Sequence, residues 1–234
     1  MKSFLFGLLG VSVINTAVLG VVSSSTWAAE SKLKKGYYTM DSLGCLIVQE
    51  CTEGVVQIKT ANDVSKYYKK AGMMDPVYTE FNEMMTALEE IGVKVYIAPE
   101  KYFPPGHRGV YHTVSNNFYL NATLVKRYGT LMSVMRHEGW HAAQDCMAGT
   151  INNSLIAIIH NEEVVPQIWK DIAKKTYTGQ AIPFEAEAIW AGKTEGMTLK
   201  ALKSCASKTM WTDYEPTPLT LKWLVEEEIG RAHV

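Results

Sequence analysis

The sequence predicts an α+β fold, in which a small antiparallel sheet packs on one long helix and further helices follow towards the C-terminus. Strand-like segments occupy the first half of the chain, and helix-like segments dominate the second half. Hydrophobic residues make up 47% of the 234 residues and the formal net charge is −1, which is typical of a globular protein. The near-neutral charge also argues against a nucleic-acid-binding surface, which needs clustered Lys and Arg.

Several segments show the alternation or the short apolar runs that are typical of strands. They cover residues 44–51, 55–59, 93–98, 109–113 and 117–121. Turn-forming residues separate the first two segments and the last two, so each of these pairs is expected to form a hairpin.

Helical periodicity and helix-ending residues predict the remaining elements. The expected helices cover residues 61–71, 76–90, a stretch from 124 or 130 to about 147, 154–175, a segment from 183 through 190, 198–208 and 219–228. The segment 154–175 contains Pro166, which is expected to interrupt or kink it.

The first residues of the chain have the composition of a secretory signal peptide. Lys2 is the only charged residue before Glu30, and an apolar run is followed by small residues that end at Ala28 and Ala29. Residues 1–28 are therefore predicted to be a cleaved signal, which leaves residues 29–234 as a single domain. The protein is then expected to be secreted or periplasmic, with no stable membrane span. If the signal stays uncleaved, the apolar run becomes a membrane anchor.

Four cysteines lie in the predicted mature chain, namely Cys45, Cys51, Cys146 and Cys205. An exported protein meets a compartment in which disulfides persist, so two disulfides are expected. Four cysteines allow three pairings, and the sequence does not decide among them. Cys45 with Cys51 is an easy pairing at the base of a hairpin, and Cys146 with Cys205 would then join two helices. Zinc binding by cysteines is disfavoured, because no pair has the two-residue spacing of a structural zinc site.

The segment His137-Glu138-Gly139-Trp140-His141 is the strongest chemical signal in the chain. On a helix, residues four apart lie on one face, so the two imidazoles can converge on one metal ion. Glu138 projects about 100° round the helix axis from His137, where it can reach a metal-bound water without becoming a ligand. The pattern therefore predicts a catalytic zinc site. The apolar character of this helix supports it, because buried histidines without a partner would be costly.

A catalytic zinc site normally has three protein ligands, so a third is expected from another element. The best candidate is Glu185, with Glu187 as its rival, on a helix rich in alanine that could approach the histidine helix closely. Two residues apart on a helix, these carboxylates point in nearly opposite directions, so only one can face the ion. The alternative is that both are ordinary surface charges.

The two histidines followed by a glutamate helix resemble the gluzincin group of zinc metallopeptidases, whose fold is zincin-like. In that group the third ligand is typically the first residue of a Glu-x-x-Ala-Asp stretch or a similar one. Residues 185–189 match its Glu and its Ala, so the resemblance implies Glu185 as the third ligand. The chain departs at Ile189, where the group has an acidic residue that orients a metal-bound histidine. Asp145 and Gln144 are the candidates for that role. The resemblance covers about residues 93–205.

The resemblance implies hydrolysis of peptide bonds at one zinc ion, with Glu138 as the general base and a peptide or protein as substrate. It also implies that the hairpin before the helix supplies a strand along which the substrate lies. A donor for the oxyanion is expected. The candidates are Tyr111, His112, Tyr119, His160 and Tyr177. The alternative function is a non-catalytic exported module that keeps the zinc scaffold. Ile189 favours this alternative, and the intact Glu138 opposes it.

Overall fold

The computed structural model describes residues 42–47, 49–149, 151 and 155–217. The predicted signal peptide at residues 1–28 and the helix expected at residues 219–228 lie outside these ranges. Within them the helices are α1 (Ser42–Ile47), α2 (Ala61–Tyr67), α3 (Tyr78–Glu90), α4 (Tyr128–Met147), α5 (Gln167–Thr176), α6 (Ala181–Lys193), α7 (Met197–Ala206) and α8 (Met210–Asp213). Short 3₁₀ helices cover Asp75–Val77 and Glu100–Tyr102. The α+β class is confirmed.

One sheet is formed by β1 (Val56–Ile58), β2 (Lys94–Ala98), β3 (Gly109–His112) and β4 (Asn117–Asn121), in the order β1-β2-β4-β3. β1 pairs antiparallel with β2, and β3 pairs antiparallel with β4. The central pair, β2 and β4, is parallel. The prediction of an antiparallel sheet is therefore wrong, because the sheet is mixed. The chain leaves β2, forms the outer strand β3 and turns back, so that β4 enters beside β2 in the same direction.

Both faces of this sheet are covered, and the alternation along β4 shows how. Phe118 and Leu120 point into the larger core, which the helices complete. Tyr119, between them, points into a smaller cluster that includes Leu46 of α1 and Tyr102. Since side chains along a strand alternate between its two faces, one strand serves both cores.

The first predicted strand, residues 44–51, is wrong, since the chain forms α1 there. A short apolar run does not distinguish a strand from a buried helical turn. The disulfide between Cys45 and Cys51 closes the turn that follows α1. The second disulfide joins Cys146 of α4 to Cys205 of α7. The expectation of two disulfides is confirmed, and they fit a chain that folds in an oxidising compartment.

Helix α4 lies at the centre of the helical layer and is buried on most of its surface. Small residues let its neighbours approach closely. On α6, a Cβ at Gly192 would lie 2.9 Å from the carbonyl oxygen of Ser133, and Ala188 and Ala191 are fully buried. On α4 itself, a Cβ at Gly139 would lie 3.0 Å from Cγ2 of Thr198 on α7. This close packing fixes the side chains of α4 and α6 relative to each other.

The helix predicted for residues 154–175 is wrong over its first half, because the helix present, α5, begins only at Gln167. The backbone N–H groups of Ile159 and His160 donate to the carboxylate of Glu187 instead of to helix carbonyls. A tertiary contact therefore replaces the local hydrogen bonds that a helix would need. A search of the described residues finds no helix whose length and apolarity would allow it to cross a bilayer.

Candidate metal centre

Three side chains, His137 and His141 of α4 and Glu185 of α6, form what we call the metal group. Their possible ligand atoms all lie within 4.8 Å of one another. Nε2 of His137 lies 3.3 Å from Oε2 of Glu185, and Nε2 of His141 lies 3.7 Å from Oε1 of the same carboxylate. Two ligands at about 2.1 Å from one ion, at a tetrahedral angle, would lie about 3.4 Å apart. The spacing of these atoms therefore fits a shared divalent cation of that size.

The helical spacing places the two imidazole rings next to each other, with their centroids 5.0 Å apart and their planes nearly perpendicular. The close approach of α6 at Gly192 then brings Glu185 opposite both rings. Oε2 of Glu185 is buried and makes no hydrogen bond of good geometry within the described residues, although it faces His137. A buried carboxylate oxygen without a hydrogen bond is costly, and a cation would satisfy it.

The two histidines and Glu185 interact electrostatically. Burial alone would raise the pKa of Glu185, but the two imidazoles outweigh it and hold that pKa well below its usual range. Burial alone would lower the pKa of His141, but contact with Glu185 outweighs it and raises that pKa to about 9. His141 therefore carries a proton next to Glu185, and a metal ion would displace that proton.

Glu187, the rival that the sequence offered to Glu185 as third ligand, also contacts α4 but at other residues. It is 1% exposed. Its oxygens accept from Nε1 of Trp140 at 3.2 Å, from Nε2 of Gln144 at 2.8 Å and from the backbone N–H groups of Ile159 and His160. These donors occupy its lone pairs, so Glu187 links α6 to α4 and to the segment before α5 rather than to the metal group.

Gln144 connects this buried carboxylate to the metal group. Its Oε1 lies 2.8 Å from Nδ1 of His141, while its Nε2 donates to Glu187 and to the carbonyl oxygen of Phe184. Both partners of Nε2 are acceptors only, which fixes the amide orientation and leaves Oε1 to accept from His141. The neutral ring then carries its proton on Nδ1, so Nε2, the atom that faces Glu185, has a free lone pair.

Asp145, the other sequence candidate for that orienting role, faces away from the metal group. Its Oδ2 accepts from the hydroxyl of Tyr111 at 2.7 Å, so it joins α4 to β3. Oδ1 of Asp145 is buried and has no hydrogen-bond partner among the described residues. Burial raises the pKa of Asp145 to about 8.

Glu138 lies beside the metal group and is only 8% exposed. Its Oε2 accepts from the backbone N–H of Tyr111 at 2.9 Å. Glu138 lines the same cleft as Tyr177, and its negative charge contributes to the raised pKa values of His141 and Tyr177. A Cβ at Gly109 would lie 2.6 Å from Cγ1 of Val134 and 3.2 Å from Oε1 of Glu138. Only glycine at position 109 lets β3 come this close to α4.

Of the oxyanion candidates named from the sequence, Tyr177 is the one that the structure brings to the metal group. It lines the same cleft as His137 and Glu138. Burial and then the negative charge of Glu185 raise its pKa, so the hydroxyl stays protonated and can donate. The other four contact groups elsewhere: Tyr111 contacts Asp145, His112 contacts Ser115, Tyr119 contacts Asn117 and Leu46, and His160 stacks on Trp140.

A cleft of about 610 Å³ opens onto this site. Its floor is formed by α4, with Ser133, Val134, His137 and Glu138. One wall is the loop of residues 105–109. The other wall comes from the end of α5 and from α6, with Thr176, Tyr177, Ile189, Gly192 and Lys193. Ile189, where the resemblance led us to expect an acidic residue, therefore serves as an apolar wall. Of these wall residues the sequence singled out only Tyr177 and Ile189, because the others belong to no local motif.

Comparisons with known proteins found no similar protein. A scan against models of protein families finds no match, and searches of curated proteins and of solved structures find none either.

Proposed function

We propose that the protein is an exported zinc metallopeptidase with a zincin-like fold, related in its site to the gluzincin group. The observation that carries the proposal is the convergence of His137, His141 and Glu185 beside an intact Glu138. Two imidazoles and one carboxylate are the ligand set of many catalytic zinc sites. A site with only structural use would have no need of a further carboxylate in the position of Glu138.

In this proposal each residue of the site has a chemical task. Bound zinc would supply Lewis acidity for the water and for the carbonyl of the scissile bond. Glu138 takes the proton from the attacking water and passes it to the leaving amine. The hydroxyl of Tyr177 donates to the oxyanion that develops on the scissile carbonyl. Gln144 holds the ring of His141 in the tautomer that binds metal, in place of the acidic residue absent at position 189.

The substrate would lie in the cleft with β3 along one side, as the resemblance implies. Arg108 pairs with Asn121 through a hydrogen bond, so the neighbouring residues Gly109 and Tyr111 turn their backbone groups to the free edge of the sheet. The N–H of Tyr111 is already bonded to Glu138. The backbone groups of Gly109 therefore remain for pairing with a peptide.

The second candidate function is a non-catalytic module that binds zinc for stability. It is favoured by the burial of Glu138, whose carboxylate accepts the N–H of Tyr111 and is 8% exposed. A bonded and nearly buried base is less available to a water molecule than an open one.

Metal content and peptide cleavage of the purified protein and its His141→Ala variant test the proposal. The wild-type protein should hold about one zinc ion per chain and cleave casein-derived peptides, because three ligands converge on one position. His141→Ala should lose both properties. His112→Ala, a histidine bonded to Ser115 away from the site, is the matched control and should keep both. Equal, negligible zinc in the wild-type and His141→Ala proteins would rule out the site. Zinc binding without cleavage would favour the non-catalytic module.

Replacing Gln144 by Ala is expected to weaken zinc binding by about 10- to 100-fold, the usual effect of removing the partner of a ligand histidine. The ring of His141 would lose the acceptor that fixes its tautomer. Gln144→Glu should also weaken binding, because its second oxygen would face two acceptors, Glu187 and the carbonyl oxygen of Phe184. Competition with a chromophoric chelator measures the affinities, and Gln57→Ala on exposed β1 is the control. Unchanged affinity in Gln144→Ala would show that the contact does not position the ligand.

A further inference from the structure

Two cations line the walls of the cleft beside the metal group. Arg108 lies on the loop wall and Lys193 at the end of α6, and both side chains are exposed. In the part of the chain that the structure describes, neither makes an ion pair. Lys59, Lys101, Arg136 and Lys203, by contrast, each pair with a glutamate. The cleft thus carries two uncompensated positive charges, although the whole chain has a formal net charge of −1.

No acidic group in the cleft neutralises these cations. Glu138 is the only carboxylate among the residues that line it. That carboxylate is nearly buried and already accepts from Tyr111. A bound divalent ion would make the cleft still more positive. The positive electrostatic potential of the cleft would therefore attract an anionic group on a substrate.

The position of Arg108 is fixed by a buried residue. Asn121 is 1% exposed, and its backbone N–H donates to the carbonyl oxygen of Arg108 at 2.9 Å. Its side-chain Nδ2 donates to the carbonyl oxygen of His107 at 2.9 Å. These two bonds hold the loop backbone against β4, so the guanidinium extends from a fixed anchor and loses less entropy when it binds an anion.

Helix α6 sets the distance between the metal group and the second cation. Three residues at four-residue intervals lie along one side of it. They are the proposed ligand Glu185, the apolar wall residue Ile189 and the cation Lys193. With a rise of about 1.5 Å per residue, the Cα of Lys193 lies about 12 Å beyond that of Glu185. An extended peptide covers about 3.3 Å per residue, so the cation reaches a group about two to four residues from the cleaved bond.

We propose that Arg108 and Lys193 form a carboxylate-binding subsite of the cleft, which selects peptides with an anionic group near the cleaved bond. This inference rests on the proposed peptidase function for its biological meaning. The carboxylate can belong to an acidic side chain or to the C-terminus of a short peptide. Guanidinium and ammonium groups bind either one through charge-assisted hydrogen bonds.

Peptide binding, measured without turnover, tests the subsite. The protein used is Glu138→Gln, in which the base is removed and labelled peptides stay intact during anisotropy titrations. Peptides are compared in matched pairs, with a C-terminal acid against an amide, and with Asp against Asn at single internal positions. We expect the carboxylate members to bind about 5- to 30-fold more tightly, as one or two charge-assisted hydrogen bonds in a hydrated cleft would give. The pair with the larger ratio identifies the source of the carboxylate.

Combining Arg108→Gln with Lys193→Gln in the same background should remove this preference. Lys70→Gln, an exposed lysine outside the cleft lining, is the control and should retain it. Equal binding within every pair, an equal loss in the Lys70→Gln control, or no measurable binding of any carboxylate peptide would each overturn the subsite. If the preference is present while the wild-type protein cleaves nothing, the peptidase proposal fails and the subsite stands. If the wild-type protein cleaves peptides but shows no preference for a carboxylate, the subsite fails and the peptidase proposal stands.

Discussion

Replacing Glu138 by Gln is expected to slow peptide hydrolysis by about 10²- to 10⁴-fold, the usual contribution of a general base, and to leave zinc binding intact. The amide has nearly the shape of the carboxylate and can still accept from the N–H of Tyr111, so the contact between α4 and β3 is kept. It cannot take a proton from water. The loss should therefore appear in kcat rather than in KM.

Cleavage of labelled peptides and zinc content, both measured on the same preparations, check this expectation. Glu100→Gln replaces a carboxylate that does not line the cleft and should behave like the wild type. If Glu138→Gln keeps its zinc and its full activity, Glu138 is not the base. If it loses zinc, the carboxylate is a ligand, and the four-residue histidine motif has been misinterpreted.

The local part of the site was predictable because it depends on helical spacing alone. His137 and His141 needed only the four-residue interval on a helix. The helical spacing also predicted that only one of Glu185 and Glu187 can face the histidines, but not which one. That choice depends on how α6 lies on α4, which is set by the close approach at Gly192. No periodicity within α6 contains that information.

Non-local contacts account for the parts of the fold that the sequence did not predict. The parallel pairing of β2 with β4 depends on where the chain re-enters the sheet, which strand patterns do not encode. The stretch before α5 has helical composition, yet Glu187 captures its backbone N–H groups. Gln144, by contrast, lies three residues after His141 on the same helix, so its contact was within reach of local spacing.

Separate substitutions of the two glutamates on α6 should divide metal binding from stability. Glu185→Gln should lower zinc affinity by about 100-fold or more, because one of three ligands is lost. Glu187→Ala should lower the free energy of unfolding by about 3–5 kcal/mol, because several buried donors lose their acceptor and each unsatisfied donor costs about 1–3 kcal/mol. The donors left without an acceptor are Nε1 of Trp140, Nε2 of Gln144 and the N–H groups of Ile159 and His160.

The two effects are measured on different forms of the protein, so that they stay independent. Chelator competition gives the zinc affinity, and denaturant unfolding of the metal-free protein gives the stability. Glu185 is 18% exposed and stays partly hydrated, so its loss should cost the metal-free protein less than the loss of the fully buried Glu187. Glu187→Gln, which keeps the shape and one acceptor oxygen, should fall between Glu187→Ala and the wild type in stability. If Glu187→Gln abolished zinc binding while Glu185→Gln kept it, the third ligand would be Glu187 and not Glu185.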